Sequence, residues 1–170
     1  LDAYVEDDSR KIFVITAPGG MGKTMLLANW LDRCEGRGLE CKGSTFHYRF
    51  IGQSDRSTTV PNMLRSLMLE LQQIGGKIPK TYHETSKDPQ GNEITREAPL
   101  EIPYDPEKIM ALWLEYLPKL EGKTVIVVDA VNQLESGLAD LRWAPLNGLP
   151  GQEKLIISFR EDAGEGSTLL

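Results

Sequence analysis

Basic charge is scarce in this sequence. Its 19 lysines and arginines are outnumbered by 25 aspartates and glutamates, for a net charge of −6 and a pI of about 5.0. A chain that binds nucleic acid mainly through phosphates needs a basic face, so the composition argues against that partner. Cysteine is scarcer still, with only Cys34 and Cys41. No second pair completes a zinc site, and the expectation is two reduced thiols in a cytoplasmic protein. No apolar run approaches the length of about 18 residues that spans a bilayer, which argues against a membrane partner. The first ten residues are acidic and polar, unlike a secretory leader. The chain begins at Leu1 and ends at Leu170 without a stop feature. It therefore reads as one domain, residues 1–170, cut from a longer protein.

Apolar residues, by contrast, are plentiful and patterned. Lys11–Thr16 reads KIFVIT, a nearly continuous apolar run expected of a strand buried on both faces. After the glycine-rich Ala17–Thr24, residues Leu26, Leu27, Trp30, Leu31 and Cys34 share one helical face, with Gly36 and Gly38 expected to stop the helix. Phe46, Tyr48 and Phe50 then alternate with polar residues, a strand period. Val60, Leu64, Leu67, Met68, Leu71 and Ile74 recur at helical spacing, with Pro61 near the start and Gly75-Gly76 at the end. Residues 75–104 are polar, charged and proline-rich, and read as a long insertion without full order. Asp105-Pro106 looks like the start of a helix carrying Ile109, Leu112, Trp113, Tyr116 and Leu120, disturbed at Pro118. Val125–Val128 and Leu155–Ile157 complete four strands. Strands alternating with helices imply an α/β fold with a parallel sheet covered on both faces.

Ala17–Thr24 reads APGGMGKT, a P-loop pattern relaxed only at its first position. Gly19, Gly20 and Gly22 let successive backbone N–H groups turn toward phosphate oxygens. The helix opening at Lys23 adds its positive end, the Lys23 ammonium reaches the β- and γ-phosphates, and the Thr24 hydroxyl ligates Mg²⁺. Pro18, Gly19, Gly20, Met21, Gly22, Lys23, Thr24 and Met25 are the candidate cradle for ATP. Asp129, closing the strand VIVVD, is the candidate acid that holds Mg²⁺ opposite Thr24. Arg160, at the end of Ser158-Phe159-Arg160, is a candidate sensor of the γ-phosphate. The guanine-binding N-K-x-D of a GTPase is missing, and Asp129-Ala130-Val131-Asn132 is not D-x-x-G.

Four stretches together resemble a family. They are TAPGGMGKTMLLANWL, FHYRFIGQSDRSTTVPNMLRSLMLEL, VIVVDAVNQLE and LRWAPLNGLPGQEKLIISFR. The chain resembles the STAND class of signal-transduction P-loop NTPases, in the NACHT-like branch related to telomerase-associated protein and nephrocystin ATPase domains. The resemblance implies a three-layer sandwich of the ASCE type, with strand order 2-3-4-1 and a fifth strand beyond Leu170. It implies a switch that ATP opens into a homo-oligomer and ADP closes. Flanking effector and sensor domains would serve signalling, including immunity and antiviral defence. The family's Walker B acid matches Asp129 and its sensor arginine matches Arg160. The family's further acids fall on Asn132 and Gln133, amides that orient water but accept no proton. Asn132 and Gln133 are thus candidate catalytic positions of a slow ATPase, with Glu135 as a compensating acid. An AAA+-like remodelling ATPase and a nucleotide-holding structural module are the alternatives.

Other residues carry plainer expectations. His47 is read as a solvent-facing or hydrogen-bonded residue, His83 as a residue without metal partners, and Trp30, Trp113 and Trp143 as core at helical positions. Arg49 and Arg142 are candidate fingers acting on a neighbouring subunit.

Overall fold

The computed structural model describes residues 1–37, 43–53, 58–74, 76–145, 149 and 151–161. The elements run α1 (Asp2–Glu6), β1 (Ile12–Ala17), α2 (Lys23–Arg37), β2 (Ser44–Phe50), α3 (Val60–Gln73), β3 (Thr81–Lys87), β4 (Glu93–Pro99), α4 (Pro106–Tyr116), β5 (Lys123–Asp129) and β6 (Lys154–Arg160). Short 3₁₀ turns follow α4 at Leu117–Lys119 and β5 at Val131–Gln133. The fold is α/β. Four strands form one parallel sheet in the order β1-β6-β5-β2, and β3 and β4 form a separate antiparallel pair. Numbered as the four strands read from the sequence, the parallel order is 1-4-3-2, the expected 2-3-4-1 written from the other edge. A fifth parallel strand is not among the described residues.

Strand alternation splits the core into two. From β5, Ile126 and Val128 face α3 and α4, while Val125 and Val127 face α1 and α2. In β6, Leu155, Ile157 and Phe159 take the first side and Ile156 the second. Both faces of the central strands are covered, so their sequences run apolar without interruption. Helix starts follow local chemistry. The Thr59 hydroxyl accepts from Asn62 N–H at 3.3 Å to cap α3, and Asp105 accepts from Lys108 N–H at 2.9 Å to cap α4. Pro61 and Pro106 sit in the first turns, where a missing N–H costs nothing. Pro118 falls in the 3₁₀ turn after α4.

α1 binds the sheet through two polar anchors. The Tyr4 hydroxyl reaches the carbonyls of Lys11 and Leu155 at 2.7 and 3.1 Å. Lys154, fully buried, donates to the carbonyls of Asp7 and Arg10, both at 2.7 Å, and its ammonium sits 4.7 Å from the Tyr4 ring. Burial lowers the Lys154 pKa, as do the neighbouring Lys123 and Lys11 cations.

Several local expectations are corrected. Within the stretch read as an insertion without full order, β3 and β4 make an ordered hairpin. The two strands carry little apolar patterning, but the turn does the work that a core would do elsewhere. The Asp88 carboxylate accepts from Gln90 N–H, Asn92 N–H and Asn92 Nδ2 at 2.9, 2.8 and 3.0 Å, and Gly91 takes φ 88°. At the other end, Gln72 of α3 donates to the carbonyls of Pro79 and Leu100, both at 3.0 Å, and Ile78 and Ile102 bury in the core. All of β3 is exposed, and β4 is nearly so. In α2 the helix runs through Gly36 to Arg37, and Gly38 lies outside the described residues, as does Gly75. Leu26 and Ile74, expected on buried faces, are 54% and 80% exposed. Trp143 is buried but lies in a turn rather than a helix. Cys34 is a buried free thiol, and Cys41 is outside the described residues. No helix among the described residues is long and apolar enough to cross a membrane.

Of the two readings of His47, the hydrogen-bonded one holds, and the ring is buried. Its Nδ1 lies 2.6 Å from Glu70 Oε1, and Arg49 pairs with Glu70 Oε2 at 2.7 Å. An ionised carboxylate only accepts, so the hydrogen sits on Nδ1. Burial alone would raise the Glu70 pKa, but the His47 hydrogen bond and the Arg49 guanidinium outweigh it and hold the carboxyl below its ordinary range. Such a group stabilises the fold above its unfolded pKa, and that contribution is lost as pH falls through the folded value. The native chain is therefore expected to lose stability below the ordinary glutamate value of about 4.3 more steeply than Glu70→Gln. Urea midpoints measured across acid pH check this, and parallel curves would refute it.

Candidate functional site

The loop between β1 and α2 passes across the C-terminal end of the sheet. Gly20 and Gly22 hold φ 77° and 79°, values that L side chains rarely adopt, and a Cβ added at either would meet open space. The left-handed positions let the backbone curl, while the space outside them remains accessible. Helix α2 begins at Lys23, with its first intrahelical bond from Leu26 N–H to Gly22 O at 2.8 Å. Its unpaired N-terminal N–H groups therefore border the loop.

A cavity of about 440 Å³ sits over this loop. Gly19, Gly20, Met21, Gly22, Lys23, Thr24 and Met25 line one side, and Asp129, Asn132, Gln133, Ser158 and Arg160 line the other. Of the residues read as the cradle, only Pro18 does not line the cavity. Its carbonyl instead accepts from Lys23 Nζ at 3.0 Å, beside a 2.6 Å bond from the same ammonium to Ala17 O. Lys23 is thus folded back along the loop with one of its three N–H donors uncommitted among these contacts.

Thr24 Oγ1 donates to Asp129 Oδ2 at 2.6 Å. Asp129 is 2% exposed and ends β5, paired in register with Phe50 of β2, while the pairing of β5 with β6 ends one residue earlier at Val128. Its other oxygen, Oδ1, accepts from the buried Ser158 hydroxyl. The next residue, Ala130, takes φ 57°, the one positive value among the described non-glycine residues, and its N–H donates to Ser158 Oγ at 3.0 Å. That left-handed step turns the chain into the 3₁₀ turn bearing Asn132 and Gln133.

Arg160 is the last residue of β6, and its guanidinium lies over the loop. A Cβ on Gly19 would approach Arg160 Nε to 3.3 Å. Only glycine leaves this approach unhindered. Asn132 Oδ1 accepts from Arg160 N–H at 3.0 Å, so the turn after β5 and the tip of β6 are tied together. Gln133 lies against Gly52, where an added Cβ would fall 1.8 Å from Gln133 Oε1. Glu135 is exposed and does not line the cavity, and among the described residues Asp129 is the only carboxylate that does. Arg49 is engaged by Glu70, and Arg142 holds Asp140 through Nε and Nη2 at 2.9 and 3.0 Å; neither lines this cavity. His83 is exposed on β3.

The oxygen donors suit a hard divalent cation. Among the described residues no group of three His, Cys, Asp or Glu side chains could form a cage, whereas a hydroxyl and a carboxylate meet at Thr24 and Asp129. Mg²⁺ is commonly held by one or two protein oxygens, with phosphates and water completing the shell. The loop, helix end and lysine likewise fit a polyphosphate. Ser158 and Ala130 escaped the sequence reading, although a hydroxyl inside the run LIISF was the available signal.

A family model described as Nephrocystin 3, N-terminal, matches residues 2–150. The match ends before β6, so Ser158 and Arg160 lie outside it. No curated protein and no solved structure matches the chain.

Proposed function

The chain belongs to the nephrocystin 3 N-terminal family, and from that premise we propose that it is a P-loop NTPase domain of the NACHT-like STAND class. In this reading it binds ATP with Mg²⁺ and acts as a regulatory switch, with flanking domains and self-assembly responding to the nucleotide state. The observation that carries the proposal is the meeting of Lys23, Thr24, Asp129 and Arg160, from three separate segments, around one cavity over the glycine loop.

Each residue has a role in that reading. The backbone N–H groups of Gly19–Thr24 and the start of α2 receive phosphate oxygens. Lys23 exchanges its loop carbonyls for phosphate charge. Thr24 and Asp129 would hold Mg²⁺, which supplies charge neutralisation on the phosphates when bound. Arg160, over Gly19, reads the terminal phosphate that ADP lacks. Shifting a two-state equilibrium from 1:99 to 99:1 requires about 5.5 kcal/mol of discrimination between the states. A cation pair and a metal bridge facing one phosphate are a reasonable source of it.

Hydrolysis is expected to be slow. A general base must reach the attacking water, and Asp129 has both oxygens engaged by hydroxyls. Asn132 and Gln133 can orient water without accepting its proton. Single-turnover measurement with Mg²⁺ and ATP should give a rate well below the range of about 1–100 s⁻¹ usual for kinases. A rate inside that range would exclude the slow switch. The same amides favour a second reading, a module that holds ATP permanently. ATP retained intact through gentle purification, with no ADP formed afterwards, would select it.

A further inference from the structure

Ser158 is fully buried in β6, between β1 and β5, in a run that is otherwise apolar from Leu155 to Phe159. Packing gives no reason for a hydroxyl there, since its neighbours in sequence fill the core on one face and Ile156 on the other. A buried hydroxyl must find partners. Ser158 has two, and both belong to the tip of β5: it donates to Asp129 Oδ1 and accepts from Ala130 N–H at 3.0 Å.

These two bonds constrain different things. The first occupies one oxygen of Asp129 from behind, leaving the other to meet Thr24 at 2.6 Å. The carboxylate is gripped by a hydroxyl on each side, so its rotamer is fixed by β6 and α2 together. The second bond satisfies the N–H of a residue at φ 57°, a backbone conformation that non-glycine residues adopt only occasionally. That N–H sits where β5 stops pairing and the chain turns toward Asn132. Ser158 therefore sets both the aim of the acid and the exit of the turn behind it.

We infer that Ser158 is a positioning residue for metal binding. Its hydroxyl holds Asp129 Oδ1 so that Oδ2 is presented, together with Thr24, to the Mg²⁺ that accompanies the nucleotide. The inference rests on the nucleotide reading above and adds to it a group that touches neither phosphate nor metal. Outer partners that orient a metal ligand commonly contribute about 10–100-fold to metal affinity. A merely structural serine would alter stability without altering the response to the cation.

The test is titration of the chain with a fluorescent ATP analogue, once with Mg²⁺ and once with EDTA. The quantity read is the ratio of the two affinities. In Ser158→Ala that ratio should fall about 10–100-fold from the native one. Ser158→Thr, which keeps the hydroxyl, should restore most of it. Melting curves of both variants show whether they are folded, and a conservative Ser158→Cys serves if the alanine variant is not. An unchanged ratio in folded Ser158→Ala overturns the inference, and so does a threonine variant as impaired as alanine. If the native chain bound the analogue in neither buffer, the nucleotide reading would fall and this inference with it. Native binding with no dependence on Ser158 would remove the inference alone.

Discussion

Replacing Lys23 by alanine is expected to weaken Mg²⁺-ATP binding by about 100-fold or more, equivalent to about 3 kcal/mol. Among the described residues, the ammonium is the only lysine group lining the cavity over the glycine loop. Its present partners, the carbonyls of Ala17 and Pro18, are neutral and lie next to solvent. Losing those bonds costs the fold little, so the effect should be confined to ligand affinity. Titration calorimetry on native and Lys23→Ala chains, beside their circular dichroism, separates the two. Lys23→Arg should not restore binding, because a planar fork cannot replace a compact ammonium inside a tight loop. Undiminished affinity in folded Lys23→Ala would rule out phosphate binding at this loop. In the full-length protein, loss of binding with signalling intact would instead refute the switch.

The largest effect on stability is expected at Trp113. Its indole is 2% exposed, it packs in the core shared by α3, α4 and the sheet, and its Nε1 donates to Trp143 O at 2.7 Å. Trp113→Ala should cost about 3–5 kcal/mol, from the cavity it opens and the carbonyl it orphans. Against a typical domain stability of about 5–15 kcal/mol, that is a large share. Trp113→Phe keeps most of the volume and removes the hydrogen bond, and should cost appreciably less. Denaturant midpoints give both numbers. A loss below about 1 kcal/mol for alanine would mean that α4 does not pack through this ring.

Most of the parallel sheet could be read directly from residues. TVIVV is apolar because both faces of β5 are covered, and that signal needs no tertiary knowledge. KIFVIT, read the same way, is half-buried, since β1 is an edge of the described sheet and only packs against both cores. The prolines Pro61 and Pro106 and the Asp105 cap are equally local signals, so α3 and α4 begin where the sequence places them, with Thr59 capping α3 in the structure. The hairpin of β3 and β4 was invisible for the opposite reason. It buries almost nothing, so no alternation records it, and its stability lies in the Asp88 turn and its anchorage on Gln72. For His47 the sequence left two readings, solvent-facing or hydrogen-bonded, because strand parity gives two faces without saying which is covered; the ring is buried and bonded to Glu70.

The site was legible in its parts more than in its connections. Lys23, Thr24, Asp129 and Arg160 stood out because a Gly-rich loop and strand-end charges have few packing explanations. The bonds that join them run between residues far apart in sequence, from Ser158 to Asp129 and from Arg160 to Asn132. No spacing rule encodes such pairs. They follow only from β6 lying beside β5, which brings the two strand tips together.

The hairpin has a practical consequence for anyone handling this molecule. Its turn is closed by the side chain of Asp88, its strands are almost wholly exposed, and among the described residues neither strand supplies a residue to either core. A dye, an epitope or a tether grafted at its tip would sit on an exposed hairpin outside both cores. The hairpin gives the domain a place to be held or watched in optical or pulling experiments, and none of its residues lines the cavity over the glycine loop.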